Sequence, residues 1–460
     1  MAADAAATAV VAAAAVANGA SPQFASSSLC RVTETAQVTE LDSGVRVVTE
    51  AVPSVRSVAL GLWVGTGSRN EVPSQAGVSH FLEHLLFKGT KRYSAVELNE
   101  QFDSIGAAFN AATSKETTHV HARFLDEHLE RAYDLMAEMF LEPIYPEGEV
   151  TTERQVVIEE IAMYEDEPSD KVHDVLDEAI FGDHPLGKRI IGTADVIGSI
   201  PIPDIRGYHD ARYVGSNIVV AAAGNLEHEA LVAMTEELLQ PKPEGDPGSE
   251  QPQLNGAVPN IGFQAKDTEQ YHLCLGAPGI ARGDDRRYAL RILNTVFGGS
   301  SSSRLFREIR EKRGLAYSVG SYTDSYRDAG MVALYIGTRE DNVEEAFDVT
   351  GAELRRLADE DMTDDELIRA KESVKGRLVL SQESTGARMS RLASTLLFDQ
   401  PIETLDEMIA KVDAVTTAEI REVASELYLP ERFSAACIGR DEDCFRKALA
   451  PVNEVLAAAA

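Results

Sequence analysis

The 460 residues carry 75 acidic and 43 basic side chains, a formal net charge of −32, which disfavours nucleic acid and anionic membrane surfaces as partners and favours basic ones. With 44% apolar and 26% charged residues the chain has the make-up of a globular protein with room for two or more cores. No stretch has the length and apolarity of a membrane span, and the four cysteines lack C-x-x-C spacing, which argues against a disulfide framework or zinc knuckle and for a reducing, cytoplasmic setting.

Residues 1–37 open with an Ala/Ser-rich run in which Asp4 sits where a signal peptide needs basic residues and Arg31 is the first base. This segment reads as a disordered extension. Residues 38–240 then give a strand over 58–64, helices over 78–87 and 95–105, a strand pair over 107–124, and helices over 127–140 and 149–166. Residues 241–260, rich in Pro, Gly and acids, read as an interdomain linker. Residues 261–460 repeat the order: a strand over 271–276, helices over 285–297 and 304–312, a strand pair over 315–337, and a helix over 343–357. Each half closes with one more strand and helix. The repetition predicts an α+β fold of two homologous domains, each a mostly antiparallel sheet with helices packed on one side.

The chemistry concentrates in "AGVSHFLEHLLF". Val78, Phe81, Leu82, Leu85 and Leu86 keep a 3.6-residue rhythm, so the segment is an amphipathic helix. His80 and His84 are then i and i+4, one above the other on one face, with Glu83 beside them. Two imidazoles at that spacing can share a metal ion, and a neighbouring carboxylate can act on a water at that ion; H-x-x-E-H is the inverted zincin pattern. Aligning "HLLFKG" with "NTVFGG" of the second half puts Leu290, Leu293 and Asn294 at the positions of His80, Glu83 and His84. The second domain lacks the site, so the fold does not require the triad.

A catalytic zinc takes a third protein ligand. In the 149–166 helix, Glu160 has Val156, Val157, Met163 and Tyr164 as its i±3 and i±4 neighbours, which predicts an apolar, inward-facing stripe on which a carboxylate needs a partner. Glu159, with Gln155 and Ala162 among its neighbours, is the other candidate. Glu153, two turns before Glu160, can orient a ligand from behind.

The chain resembles the pitrilysin/insulinase-type metallopeptidases from about residue 38 onward, in particular the short two-domain branch that includes the mitochondrial processing peptidase β subunit and bacterial relatives. The resemblance rests on H-x-x-E-H, on "ERQVVIEE", on "FNAATSKETTHVHA" and on "SSRLFREIREKRGLAYSVGSY". It implies a peptidase whose distal glutamate is Glu160, 76 residues after His84, with Glu153 as supporting acid. It further implies one zinc ion per chain on His80, His84 and Glu160, with Glu83 as the base. An edge strand at Asn110, Ala111, Ala112 and Thr113 would bind an unfolded, basic peptide. Arg310 and Tyr317, seven residues apart, would reach substrate from the second domain. Because larger relatives enclose peptide with four such domains, a homodimer or a heterodimer with a related chain is expected.

Overall fold

The computed structural model describes residues 31–32, 36–241, 254 and 258–458. Most of the expected 1–37 extension and of the 241–260 linker lies outside the described residues.

The described residues build two sheets. The first has strands β1 (Arg31–Val32), β2 (Ala36–Glu40), β3 (Arg46–Ala51), β4 (Ser57–Val64), β5 (Ala108–Thr113), β6 (Thr118–Leu125) and β7 (Ile218–Gly224), in the order β1-β2-β3-β7-β4-β6-β5. The second has β8 (Ile261–Ala265), β9 (Tyr271–Pro278), β10 (Ala316–Ser325), β11 (Gly330–Thr338) and β12 (Ser434–Gly439), in the order β10-β11-β9-β12-β8. Read backwards, the second order superposes on β3-β7-β4-β6-β5 of the first. The match extends to direction: β3 with β7 and β12 with β8 are the parallel pairs, and the other pairings are antiparallel. The internal duplication is thus visible strand by strand. It leaves β5 and β10 as corresponding edge strands.

On one face of the first sheet, Val58, Leu60, Leu62 and Val220 pack with helices α1 (Val78–Leu85), α2 (Ala95–Ser104), α3 (Leu129–Leu141) and α4 (Glu147–Asp166) into one core. A second core joins the other sheet to the helices Arg287–Phe297 and Val343–Asp359 in the same manner. The other faces are covered by exchange. Helix α5 (Pro168–Phe181) of the first half lays Val172, Leu176 and Ile180 on Cys274, Ala333 and Ala436 of the second sheet. The helix Thr385–Leu397 of the second half lays Met389, Leu392 and Ala393 on Ala59, Trp63 and Ala221 of the first. The sequence expectation of helices on one side therefore describes each half's own helices, and the second side of each sheet belongs to its neighbour. Glu50 on β3, 3% exposed at its side chain, accepts ion pairs from Arg388 and Arg391 and pins this exchange.

The short 304–312 segment departs from a plain α-helix. Residues Phe306–Glu311 form a π-helical turn, in which the Lys312 N–H donates to the Arg307 carbonyl.

Candidate metal centre

Helix α1 is only eight residues long, and its start is built with care. Gly77 has φ +91°, and a Cβ there would lie 2.6 Å from the Ile191 carbonyl oxygen, so only glycine fits. The Glu71 carboxylate accepts from the Gly77 N–H (2.6 Å) and the Ser79 N–H (2.7 Å), answering donors that the helix itself cannot. The Ser79 hydroxyl meets Tyr208 OH at 2.8 Å, and Tyr208 OH meets Thr66 Oγ1 at 2.9 Å. Burial pushes the Glu71 carboxyl up to about 7 against the pull of those N–H bonds. With Val78, Phe81, Leu82 and Leu85 buried in the core, the helix is fixed and presents His80, Glu83 and His84 along its other face.

Opposite stands α4. The His80 and His84 Nε2 atoms lie 3.3 Å apart, and Glu160 Oε2 lies 3.7 and 3.6 Å from them. These three atoms form the metal-ligand group found among the described residues. Zinc–ligand bonds of about 2.0–2.1 Å in a tetrahedron put ligand atoms about 3.3–3.4 Å apart, so the spacing suits such an ion. Glu160 Oε2 is also buried without a hydrogen-bond donor among the described residues. A carboxylate oxygen so placed lacks the partner its charge requires, and the residues fit a zinc ion.

Behind His84, Glu153 is 5% exposed. Its Oε1 is 2.8 Å from His84 Nδ1 and its Oε2 is 2.6 Å from Lys88 Nζ. An Nδ1–H donated to Glu153 leaves the His84 Nε2 lone pair facing Glu160 and His80. Burial works against charge on His84, but the hydrogen bond and charge of Glu153 outweigh it and raise its pKa; Glu153 is in turn lowered, its own burial being outweighed by His84 and Lys88. Burial, with the charge of His84, lowers His80 to about 4, so it is neutral and able to ligate at ordinary pH.

Glu83 sits beside the group. Its Oε2 accepts from Thr113 Oγ1 at 2.6 Å, and burial raises its pKa despite that bond. Thr113 ends β5, which has β6 on one side and closes the sheet on the other. Asn110 and Ala112 of this strand are exposed, Ala111 is buried, and the Ala111 N–H donates to Asn110 Oδ1 at 2.9 Å.

Of the residues expected from the sequence, His80, Glu83, His84, Glu153, Glu160 and Thr113 thus come together. Arg310 and Tyr317 meet each other in the second half. The Arg310 guanidinium lies 4.3 Å over the Tyr317 ring and donates to the Tyr317 carbonyl at 3.1 Å, and Tyr317 is 78% exposed. The apolar, inward-facing stripe expected around Glu160 is not formed. Val156, Met163 and Tyr164 are 46, 71 and 42% exposed, and the buried stripe of α4 is Val150, Glu153, Val157 and Ile161. Glu160 lies at the margin of that stripe, where a side chain reaches the α1 face without being enclosed. Glu159 is exposed. Glu71, which no motif marked, was missed; its one sequence signal is an acid six residues before a glycine that starts a helix.

Fold and cluster together define the class: a two-domain metallopeptidase of the pitrilysin type. Residues 46–194 match the family described as Insulinase (Peptidase family M16), and residues 199–374 match the Peptidase M16 inactive domain. An uncharacterized zinc protease of Streptomyces coelicolor is 40% identical over 89% of this chain and 90% of its own length. The uncharacterized zinc protease YmxG of Bacillus subtilis is 43% identical over 84% of this chain and 94% of its own. The crystal structure of a peptidase M16 inactive domain from Pseudomonas fluorescens has the same fold, with a TM-score of 0.81 at 22% identity, over 88% of this chain and 98% of that one. The chain belongs to the M16 (insulinase) family of metallopeptidases.

Proposed function

We propose that the chain is a zinc-dependent endopeptidase for short or unfolded peptides, with one zinc ion per chain on His80, His84 and Glu160. The observation that carries this reading is the convergence of two imidazole Nε2 atoms on a Glu160 oxygen that has no hydrogen-bond donor among the described residues. When bound, zinc supplies Lewis acidity, which polarises the scissile carbonyl and makes a water more acidic.

Glu83 takes a proton from the attacking water and delivers it to the leaving amine. A carboxyl whose pKa is raised by burial suits both halves of that exchange. The Thr113 hydroxyl occupies Glu83 Oε2 and leaves Oε1 for the proton. Glu153 keeps His84 in its ligating tautomer. The peptide adds as a strand along β5 at Asn110, Ala111, Ala112 and Thr113, a position supported by the open edge next to Glu83. Arg310 and Tyr317 bind substrate carbonyls from the second half.

In this reading residues 38–240 are the catalytic domain, 261–460 the metal-free domain that handles substrate, and 241–260 the linker. A second chain, identical or related as in mitochondrial processing peptidases, completes a chamber around the site. The acidic excess draws basic peptides in. Among the described residues no helix is long and apolar enough to cross a membrane. The free thiols of Cys274, Cys437 and Cys444 agree with a cytoplasmic setting. Purified protein should carry zinc, cleave an unstructured basic peptide, and lose specific activity on dilution as the pair dissociates. Undiminished cleavage by a monomer at low nanomolar concentration contradicts the paired enzyme, and absence of cleavage by zinc-loaded protein contradicts the whole reading.

A further inference from the structure

A second cluster of charge lies away from the metal centre, in the second half. A cavity of about 210 Å³ opens between the helix Arg287–Phe297, the helix Thr385–Leu397 and the segment that follows it. Arg282, Arg287, Arg291 and Arg391 line it together with Ser394 and Thr395, and the Ser394 hydroxyl lies 3.5 Å from Arg282 Nη1. In a chain with 75 acids, the cavity has one lining carboxylate, Glu403. That group is already saturated by Arg287, Lys411 and the Tyr288 hydroxyl.

Donors at the cavity are left over in spite of these partners. Arg287 and Arg291 are i and i+4 on one helix, a spacing that brings like charges together. Arg291 is an exposed residue whose guanidinium has no hydrogen bond or ion pair among the described residues, and its charged neighbours are Arg287 and Arg377. The Nε groups of Arg282 and Arg391 are buried donors without acceptors. Their other nitrogens are engaged elsewhere: Arg282 Nη2 with the Ser325 carbonyl (2.7 Å) and Glu116 (4.0 Å), and Arg391 with the Glu403 carbonyl (3.1 Å) and, through Nη2, with Glu50 (3.5 Å). Each of Arg282, Arg287 and Arg391 thus has one acid nearby that holds it in place, while the Arg291 guanidinium and the two Nε donors have no partner among the described residues.

We propose that this cavity is an oxyanion site for a phosphate dianion, either inorganic or as the headgroup of a phosphate ester. Planar guanidinium forks and hydroxyls match the several acceptor oxygens of phosphate, and a dianion answers more of the excess charge than a carboxylate does. The site is independent of the zinc reading, because none of its residues belongs to the metal centre. Its consequence is structural: the helix Thr385–Leu397 also covers the first sheet, so the anion ties the second half's Arg287–Phe297 helix to the element that clasps the first half.

The test is calorimetric titration of the zinc-loaded full chain with inorganic phosphate and, separately, with glucose 6-phosphate, at ionic strength held constant with sodium chloride. Saturable binding of either probe is expected, together with a rise in Tm. Similar affinity for both assigns the site to the phosphoryl group alone, and tighter binding of the ester assigns it to the ester. Arg291→Ala removes no hydrogen bond or ion pair among the described residues, so it should keep the unliganded Tm and weaken phosphate binding by about tenfold or more. Absence of saturable binding in the wild type overturns the proposal. So does unchanged affinity in Arg291→Ala, which would move the phosphate to the zinc.

Discussion

Replacing Glu153 by Gln removes a charge from behind the metal centre and almost nothing else. The side chain is 6% exposed, and its two oxygens are committed to His84 Nδ1 at 2.8 Å and Lys88 Nζ at 2.6 Å. The amide is the same size, and its oxygen can still accept from Nδ1–H. Its NH2 cannot accept from the Lys88 ammonium, and the imidazole loses the neighbouring charge that strengthens it as a ligand. One charge-assisted hydrogen bond contributes about 1.5–3 kcal/mol, which agrees with the about 10–100-fold loss of metal affinity or activity common for groups that orient a ligand. The assay is zinc competition against a chromogenic chelator, with thermal unfolding of the zinc-free protein to show that the fold persists. A zinc Kd weakened by about 10–100-fold is expected, and kcat should fall with zinc restored to saturation. A Kd within about twofold of the wild type, in folded protein, refutes the role of Glu153.

Other consequences are as direct. Glu160→Gln should lose zinc while Glu159→Gln, on the exposed side of α4, keeps it; atomic absorption of the two dialysed variants decides between the acids. Arg310→Ala and Tyr317→Phe should lower peptide turnover with zinc content unchanged, and full activity in both would leave the second domain purely structural. The Glu71 carboxyl, raised by burial to about 7, favours its protonated form in the fold. Its contribution is present below its ordinary value of 4.5 and is lost as pH rises through 7. The Tm of the wild type relative to Glu71→Gln should therefore fall between about pH 4.5 and 7. A pH-independent difference would show that the capping N–H bonds dominate instead.

Short-range pattern made much of this molecule legible. The 3.6-residue rhythm around His80 and His84 locates α1 within two residues, and the helix expected over 95–105 is α2, which starts on a capping box of Ser94 and Glu97 that played no part in that expectation. The repeat of elements foretells the duplicated sheet. What sequence could not give is which surface an apolar face meets. Val172, Leu176 and Ile180 mark α5 as amphipathic, yet nothing local says that its partner is the sheet of the other half. The same limit explains the false stripe around Glu160. Its i±3 and i±4 neighbours are apolar by type, but α4 crosses α1 with its buried line one position round the helix, through Val157 and Ile161. Glu71 was hidden because its partners are backbone N–H groups, which carry no sequence mark.

The central claim is that Glu83 does chemistry at an ion it does not hold. It is tested most directly by measuring zinc content and single-turnover cleavage of one unstructured peptide on the same preparation of Glu83→Gln. The amide keeps the size and the bond from Thr113 but cannot take a proton from water. One zinc per chain, with cleavage lower by about 10²–10⁴-fold or more, is the predicted result. Near-normal cleavage with zinc bound, or loss of the zinc itself, would contradict the account.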